Sequence, residues 1–558
     1  MKRTLAILAV LAIAVPSMAQ KKNQEPEPPR LVENIDVRII NVDVIVTDRK
    51  GNFVPNLTAD DFTIFENGVQ KPISNFYEVQ GSVAKNVVGE APIPETPEAP
   101  TKEIPENMKR RIIFYVDNLS LSPFNRNRVF QQMKDFVTTV MRPGDEAMIA
   151  TYNRSMKVRV PFTRDTGQIL SMLDSLQKES GLGIANRSER KTTEDRIREA
   201  TSYYDAVSTA RGYAASIEHD LRQSVASINA LMSTLAGVDG KKILVLTSEG
   251  FPMQPGREMF YFIDDIGREK GWTGMGSTML EGMTYDGANL IQSVAKTANA
   301  NGITMYTVHA AGLTGGMEMS AEHAQPVSAS VGQAAISNTT ESMQLMAEMT
   351  GGVASVQTNN FKLAFDRIQQ DLESYYSLGY RSGTERVDRQ RYLQVKMKNR
   401  EYRVRNRQTF VEKSMFAEMS DRVVANLLYR VKDNELGILT RVGNPLPTED
   451  GYYHVPVDIL IPMQALTLLP QGEVEYVGGF DVYVVVGNKD NDMSDVARKS
   501  HQIRVPAAAF KELSGKFYTY TLELLMERGL NKISVGVVDQ VSNTPGFARD
   551  QVIAQDMR

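Results

Sequence analysis

Two stretches of the sequence carry oxygen-bearing side chains close enough together to act on one ligand. FYVDNLSLSP holds Asp117, Ser120 and Ser122, and ILVLTSEG holds Thr247, Ser248 and Glu249 just ahead of Gly250. Each polar cluster follows an apolar run with no polar alternation, the pattern of a strand buried on both faces. The side chains therefore fall at the carboxyl ends of strands, where an open α/β sheet collects its ligands. Carboxylates and hydroxyls are hard oxygen donors, suited to Mg2+ or Ca2+ rather than to zinc or copper. Asp117, Ser120, Ser122, Thr247, Ser248 and Glu249 are accordingly candidate oxygen ligands for such an ion. The same residues have an alternative use, with Asp117 buttressing its loop, Ser122 capping the helix that follows and Glu249 in a salt bridge. The sequence leaves both uses open.

Other chemistry has less support. The five histidines, His219, His309, His323, His454 and His501, show no paired-ligand spacing. His309 follows the apolar run ITMYTV and belongs at the same sheet edge, where a hydrogen-bonded structural role is expected. The run KDNDMSD lacks the glycine and terminal glutamate of a calcium loop and reads as a polar hairpin turn. There is no cysteine, which removes thiolate nucleophiles, disulfides, zinc-thiolate sites and a cysteine-linked lipid anchor. With no GxSxG, and with DNLSLSP where a dinucleotide-binding glycine fingerprint would stand, the protein is not expected to be an enzyme. Metal-assisted hydrolysis is the remaining enzymatic rival. A net charge of −4 over 558 residues supplies no concentrated basic face, so no nucleic-acid partner is expected. The alternating Arg400, Arg403, Arg405 and Arg407 read as the solvated face of a strand.

The elements that position the two clusters follow from periodicity. Apolar runs at Ile112 to Val116, Ala147 to Tyr152, Ile243 to Leu246 and Ile303 to Val308 are separated by stretches of helical spacing. Val129, Phe130, Met133, Phe136, Val137 and Val140 form one helical face, and Ile217, Leu221, Val225, Ile228, Leu231 and Leu235 form another. Strands alternating with such helices give a doubly wound α/β domain with a mostly parallel, Rossmann-like sheet, expected over 109–374. Ahead of it, 31–80 alternates apolar and polar residues and reads as an N-terminal β module with a hairpin turn at Asn67-Gly68. Residues 81–108, rich in Pro and Glu, read as an extended linker. Residues 375–412 read as a β extension, and 413–558 as a C-terminal all-β, sandwich-like domain. Two insertions, one from Phe251 to Gly287 with the sole tryptophan, Trp272, and one beginning GLTGGMEMS after His309, should flank the polar edge. They serve there either as adaptable contact surface or as plain cover.

The amino terminus supplies the compartment. Lys2 and Arg3 precede an apolar run from Leu5 to Val15, followed by Pro16 and the small-x-small sequence Ser17-Met18-Ala19. This is the order of a cleavable signal peptide over 1–19, with a polar leader over 20–30. No later stretch reaches the roughly 20 apolar residues of a membrane-spanning helix, so the mature chain is expected to be exported without a transmembrane anchor, to a periplasm or the cell exterior.

The polar clusters and their flanks resemble von Willebrand factor A-type domains. Those domains carry a metal-ion-dependent adhesion site built from a D-x-S-x-S motif after the first strand, a threonine from a second loop and an aspartate before glycine after a later strand. Here Asp117-Asn118-Leu119-Ser120-Leu121-Ser122 has one residue more between the aspartate and the first serine, and Glu249 stands where the family has aspartate. The resemblance thus implies Asp117, Ser120, Ser122 and Glu249 as the expected metal ligands, with Thr192, Thr193 and Thr201 the candidates for the threonine. A broader resemblance over residues 36 to 412 is to the von Willebrand A-related proteins common in acidobacteria, carried by VDVIVTDRKGNFVPNLTADDFTIFENGVQKPISNF and by the later MTGG, DLESYYSLGY and LQVKMKN segments. The resemblance implies an exported binding or scaffolding protein. Its bound ion would keep one coordination position open for an acidic side chain of a protein partner. A structural component of the cell envelope, without metal-dependent binding, is the alternative.

Overall fold

The computed structural model describes residues 39–81, 83–88, 109–273, 278–313, 329–382, 387–429 and 433–555. The expected signal peptide, polar leader, most of the Pro/Glu-rich linker (82 and 89–108), His323 and most of the second insertion lie outside the described residues. Two compact units are present, one of Val37–Ser233 with Asp239–Glu412, the other of Lys413–Arg558 with Thr234–Val238.

The first unit opens with strands β1 (Ile39–Thr47), β2 (Phe62–Glu66), β3 (Val69–Lys71), β4 (Ile73–Gln80) and β5 (Val83–Val88). Asn67 and Gly68, at φ of 48° and 82°, make the two-residue turn between β2 and β3. β5 falls where the sequence reads as linker: VAKNVV, of high strand propensity, runs antiparallel to β4 before the Pro/Glu-rich stretch begins.

The α/β part follows with β6 (Arg110–Asp117), α1 (Pro123–Thr139), β7 (Glu146–Tyr152), β8 (Met156–Thr163), α2 (Thr166–Gln177), α3 (Gly183–Glu199) and α4 (Tyr203–Thr234). It continues through β9 (Lys241–Ser248), α5 (Arg257–Lys270), α6 (Thr278–Met283), α7 (Ala288–Ala300), β10 (Ile303–His309), α8 (Ala329–Thr350), β11 (Ala354–Ser355) and α9 (Phe361–Glu373). Its sheet runs β11-β10-β9-β6-β7-β8, parallel throughout except for β8. The chain winds outward from β6 in one direction and from β9 in the other, so the switch point lies between these two neighbours. On one sheet face Phe114, Val116, Val245 and Val308 pack against Val129, Phe130 and Met133 of α1 and Phe365 and Ile368 of α9. α8 covers the other face, where Thr307, directed away from that cluster, donates its hydroxyl to the Met343 carbonyl at 3.0 Å. Each large aliphatic side chain buried in this way contributes about 1.5–3 kcal/mol.

Strands β12 (Ser374–Arg381), β13 (Gln390–Met397), β14 (Arg403–Arg405) and β15 (Thr409–Val411) complete the N-terminal β module rather than forming a separate extension. β12 inserts between β1 and β4, and β13 pairs with β2, giving sheets of order β14-β1-β12-β4-β5 and β15-β13-β2-β3. Val42, Val44 and Val46 alternate inward against Phe62, Ile64, Tyr376, Leu378 and Val395. The arginine run is only half solvated. Arg400 and Arg403 are exposed, but Arg405 pairs with the buried Asp371 at 2.7 Å, and Arg407 donates to the Asn41 carbonyl at 2.8 Å.

The second unit holds α10 (Met415–Tyr429), β16 (Leu439–Val442), β17 (Leu446–Pro447), β18 (Tyr453–Pro462), β19 (Leu469–Gln471), β20 (Glu475–Asn488), β21 (Ala497–Pro506), α11 (Ala507–Leu513), β22 (Phe517–Met526), β23 (Gly529–Asp539) and β24 (Pro545–Ala554). The β18–β22 sheet packs Val455, Val457 and Ile459 onto Val482, Val484, Val535 and Val537 of the β20–β23 sheet, a two-sheet sandwich. The outer face of β20 is covered too. Met419, Val423 and Leu427 of α10 pack there on Tyr483 and Val485, which is why β20 is apolar along nearly its whole length. KDNDMSD forms the turn between β20 and β21, closed by the Asn488 amide donating to the Asp492 carbonyl at 3.0 Å.

Candidate functional site

Parallel register sets the site. Val116 lies opposite Thr247, so the next residue, Asp117, comes level with Ser248, and Ser248 in turn lies opposite His309. Three strand ends thus deliver a carboxylate, a hydroxyl and an imidazole to one row on the same sheet face. Thr247 belongs to the opposite face, level with Val116 and Val308 of the α1-side core.

Asp117 is buried, and its Oδ2 accepts two hydroxyls, from Ser120 at 2.7 Å and from Ser248 at 2.8 Å. Each of those hydroxyl oxygens also accepts a backbone N–H, Ser120 from Glu249 and Ser248 from Gly250, both at 3.0 Å. Gly250 makes this return possible at φ +104°, and a Cβ there would lie 2.5 Å from the Thr339 Cβ. Burial pushes the Asp117 carboxyl above its usual range, against the pull of the two serine hydrogen bonds. Its Oδ1 has no hydrogen-bond partner among the described residues.

Glu249 is tied down differently. Its Oε1 accepts the Ser122 amide at 2.8 Å, the Ser122 hydroxyl at 2.7 Å and the Asn125 side-chain amide at 3.0 Å. Ser122 stands at the N-cap of α1 with Pro123 after it, yet its hydroxyl turns to Glu249 instead of the helix, and the Glu249 carboxylate caps the positive helix end in its place. Arg187 closes the group, its Nη2 lying 3.1 Å from Glu249 Oε2 and 3.2 Å from Ser122 Oγ. Burial raises the Glu249 carboxyl, but the Ser122 and Asn125 hydrogen bonds and the Arg187 charge outweigh it and hold the group below its ordinary range. His309 is held below its usual range by burial, and its Nε2 lies 3.2 Å from the Glu249 carbonyl.

The loop carrying these residues is fixed by the start of α3. Leu182 and Gly183 donate their amides to the carbonyls of Asn118 (3.0 Å) and Leu121 (3.2 Å), and Asn186 donates to Leu119 (2.8 Å). A Cβ on Gly183 would stand 2.4 Å from the Ser120 carbonyl oxygen, so only glycine admits this approach. The buried Arg126 anchors the other side, donating to Asn118 Oδ1 and to the Glu179 carbonyl.

The four expected ligands therefore meet at one edge but in two groups, Asp117 with Ser120 and Ser248, and Ser122 with Glu249, Asn125 and Arg187. In the second group a guanidinium already faces the glutamate and serine oxygens. A cation placed there would meet that positive charge, at roughly 4 kcal/mol per unit charge for a separation of about 4 Å near a protein surface. The partnerless Asp117 Oδ1 and Thr247 Oγ1 do not converge, because they lie on opposite sheet faces. Thr192 and Thr193 donate their hydroxyls to the carbonyls of Ser188 and Glu189 one turn back in α3, each at 2.9 Å, and Thr201 is exposed beyond the helix end. As arranged, these residues do not fit a single divalent-ion cradle. Sequence reasoning left Arg187 and Asn125 unnoticed. Asn125 has a local signal, three residues after the cap position of α1, whereas Arg187 has none.

No family model matches this chain, and no curated protein matches it. Among solved structures it is similar to an aerotolerance-related membrane protein from Bacteroides fragilis, at 13% identity over 48% of this chain and 98% of that one, with a TM-score of 0.25. It is also similar to a conserved hypothetical protein, BatB, from Bacteroides thetaiotaomicron, at 11% identity over 48% and 97% of the two chains, TM-score 0.22. A third similarity is to the manganese-loaded TRAP protein of Plasmodium vivax, at 10% identity over 54% and 93%, TM-score 0.21. Scores this low carry no argument, and the class of the chain rests on its own topology, a doubly wound α/β sheet with a polar cluster at its switch point.

Proposed function

We propose that this chain is an exported, non-catalytic binding protein whose α/β part engages a protein partner at the carboxyl edge of its parallel sheet. The observation that carries the reading is the contrast at that edge between a polar cluster bonded inward and apolar side chains turned outward. Phe124, in the first turn of α1, is 74% exposed, and Ile184, in the first turn of α3, is 61% exposed. Both sit on backbone held by the loop contacts described above, so they present apolar surface without having to be ordered on binding. Arg187, 49% exposed at the same edge, offers a charge complementary to an acidic side chain of the partner. The buried state of Ser248 and Asp117 favours contact over turnover, since a nucleophile must reach its substrate.

The test uses the full chain immobilised and exposed to envelope extract beside the double variant Phe124→Asp/Ile184→Asp. A protein retained by the wild type and lost by the equally folded variant is expected. Equal retention by both would remove this edge as the contact surface and favour a structural envelope role. Turnover of a hydrolase substrate, abolished by Ser248→Ala, would overturn the non-catalytic reading.

A further inference from the structure

Glu249 and Ser122 are the two expected ligands whose oxygens face a cationic side chain among the described residues, Arg187. One guanidinium nitrogen, Nη2, contacts both, at 3.1 Å and 3.2 Å. The glutamate end is 14% exposed and the arginine end 49%, so the pair is rooted in the loop and open on the arginine side. We propose that Arg187 is the built-in cation of this edge, taking the place between Ser122 and Glu249 that a divalent ion would take, so that the site is charge-complete without metal. The longer glutamate fits this exchange: its carboxylate reaches the α1 N-terminus with one oxygen and leaves the other for the guanidinium. Arg187 is placed for the task by the glycine-permitted contact at Gly183, which sets the first turn of α3 against the Ser120 carbonyl. Among the described residues its Nε and Nη1 make no hydrogen bond, leaving donors for an acceptor from outside.

The inference shares Arg187 with the partner-binding reading but is tested on ions alone, so either can fail without the other. The full chain, stripped with chelator, is titrated with Mn2+ while free ion is followed by paramagnetic resonance, and melting is recorded with and without Mg2+, Ca2+ and Mn2+. The wild type is expected to take up no ion and to melt unchanged. Arg187→Ala is expected to melt about 2 °C lower in chelator and to regain that loss with bound Mn2+. Arg187→Lys, which keeps the charge, is expected to behave as the wild type toward metal. Saturable Mn2+ uptake by the wild type overturns the proposal whether or not any variant folds. So does an Arg187→Ala protein that matches the wild type in chelator, or one that is destabilised and indifferent to every ion, since either leaves the arginine an ordinary surface pair.

Discussion

Asp117 and Glu249 sit at neighbouring strand ends in opposite electrostatic situations, and their pH responses should have opposite signs. Glu249 is held below its unfolded value of 4.5, so it binds fewer protons in the folded chain, and its contribution is present above that value and lost as pH falls through the lower folded one. Glu249→Gln should cost about 2 kcal/mol at neutral pH, with the gap to wild type closing in acid, as urea unfolding at a series of pH values would read. Asp117 is raised above its unfolded value of 3.8, so its ionisation weakens the fold as pH rises through that window. In the same series Asp117→Asn should gain on the wild type with rising pH. Profiles of the same sign would contradict one of the two assignments, and exchanged signs would contradict both. The two carboxylates were legible in the sequence because each stands at the end of an apolar strand run, Asp117 immediately after it and Glu249 two polar residues on. The partner that decides Glu249's chemistry was not, because Arg187 lies 65 positions from Ser122 and no local pattern links a helix start to a strand end.

At the scale of elements, the loop after β6 and the first turn of α3 behave as one piece, joined backbone to backbone at Gly183. Gly183→Ala should force the two apart and destabilise the unit by about 1–3 kcal/mol, lowering the urea midpoint without changing its slope. Exposed-face glycines such as Gly212, around which nothing lies within reach of a Cβ, should tolerate the same change, which makes Gly212→Ala the matched control. Periodicity located the strands of the parallel sheet and the helical stripes because burial on one side or two writes itself into the spacing of apolar residues. It was silent on α10, whose existence follows from a demand made elsewhere, the outward-facing Tyr483 and Val485 of β20. β5 escaped for the converse reason, six residues beside a Pro/Glu-rich stretch whose composition dominates any reading.

At the scale of the whole molecule, the N-terminal β body is assembled from both ends of the first unit. A chain ending at residue 373 would lack β12 and β13, leaving β1 and β4 with no strand between them and β2 without its longer neighbour. Hydrogen exchange should then show the amides of Val42 and Val44 unprotected, although the truncation removes nothing before residue 374. The sequence divides here into a module and a distant extension because register between strands leaves no mark in either strand alone. The Tyr376 hydroxyl and the Val54 carbonyl it bonds are 322 positions apart. A ribosome delivers β1 long before β12, so the first strand of this protein is made early and completed late. In the interval its valine-rich edge is a vacancy that a chaperone, a protease or another copy of the chain can reach first, and the time spent waiting grows with every residue of the α/β part inserted between the two halves.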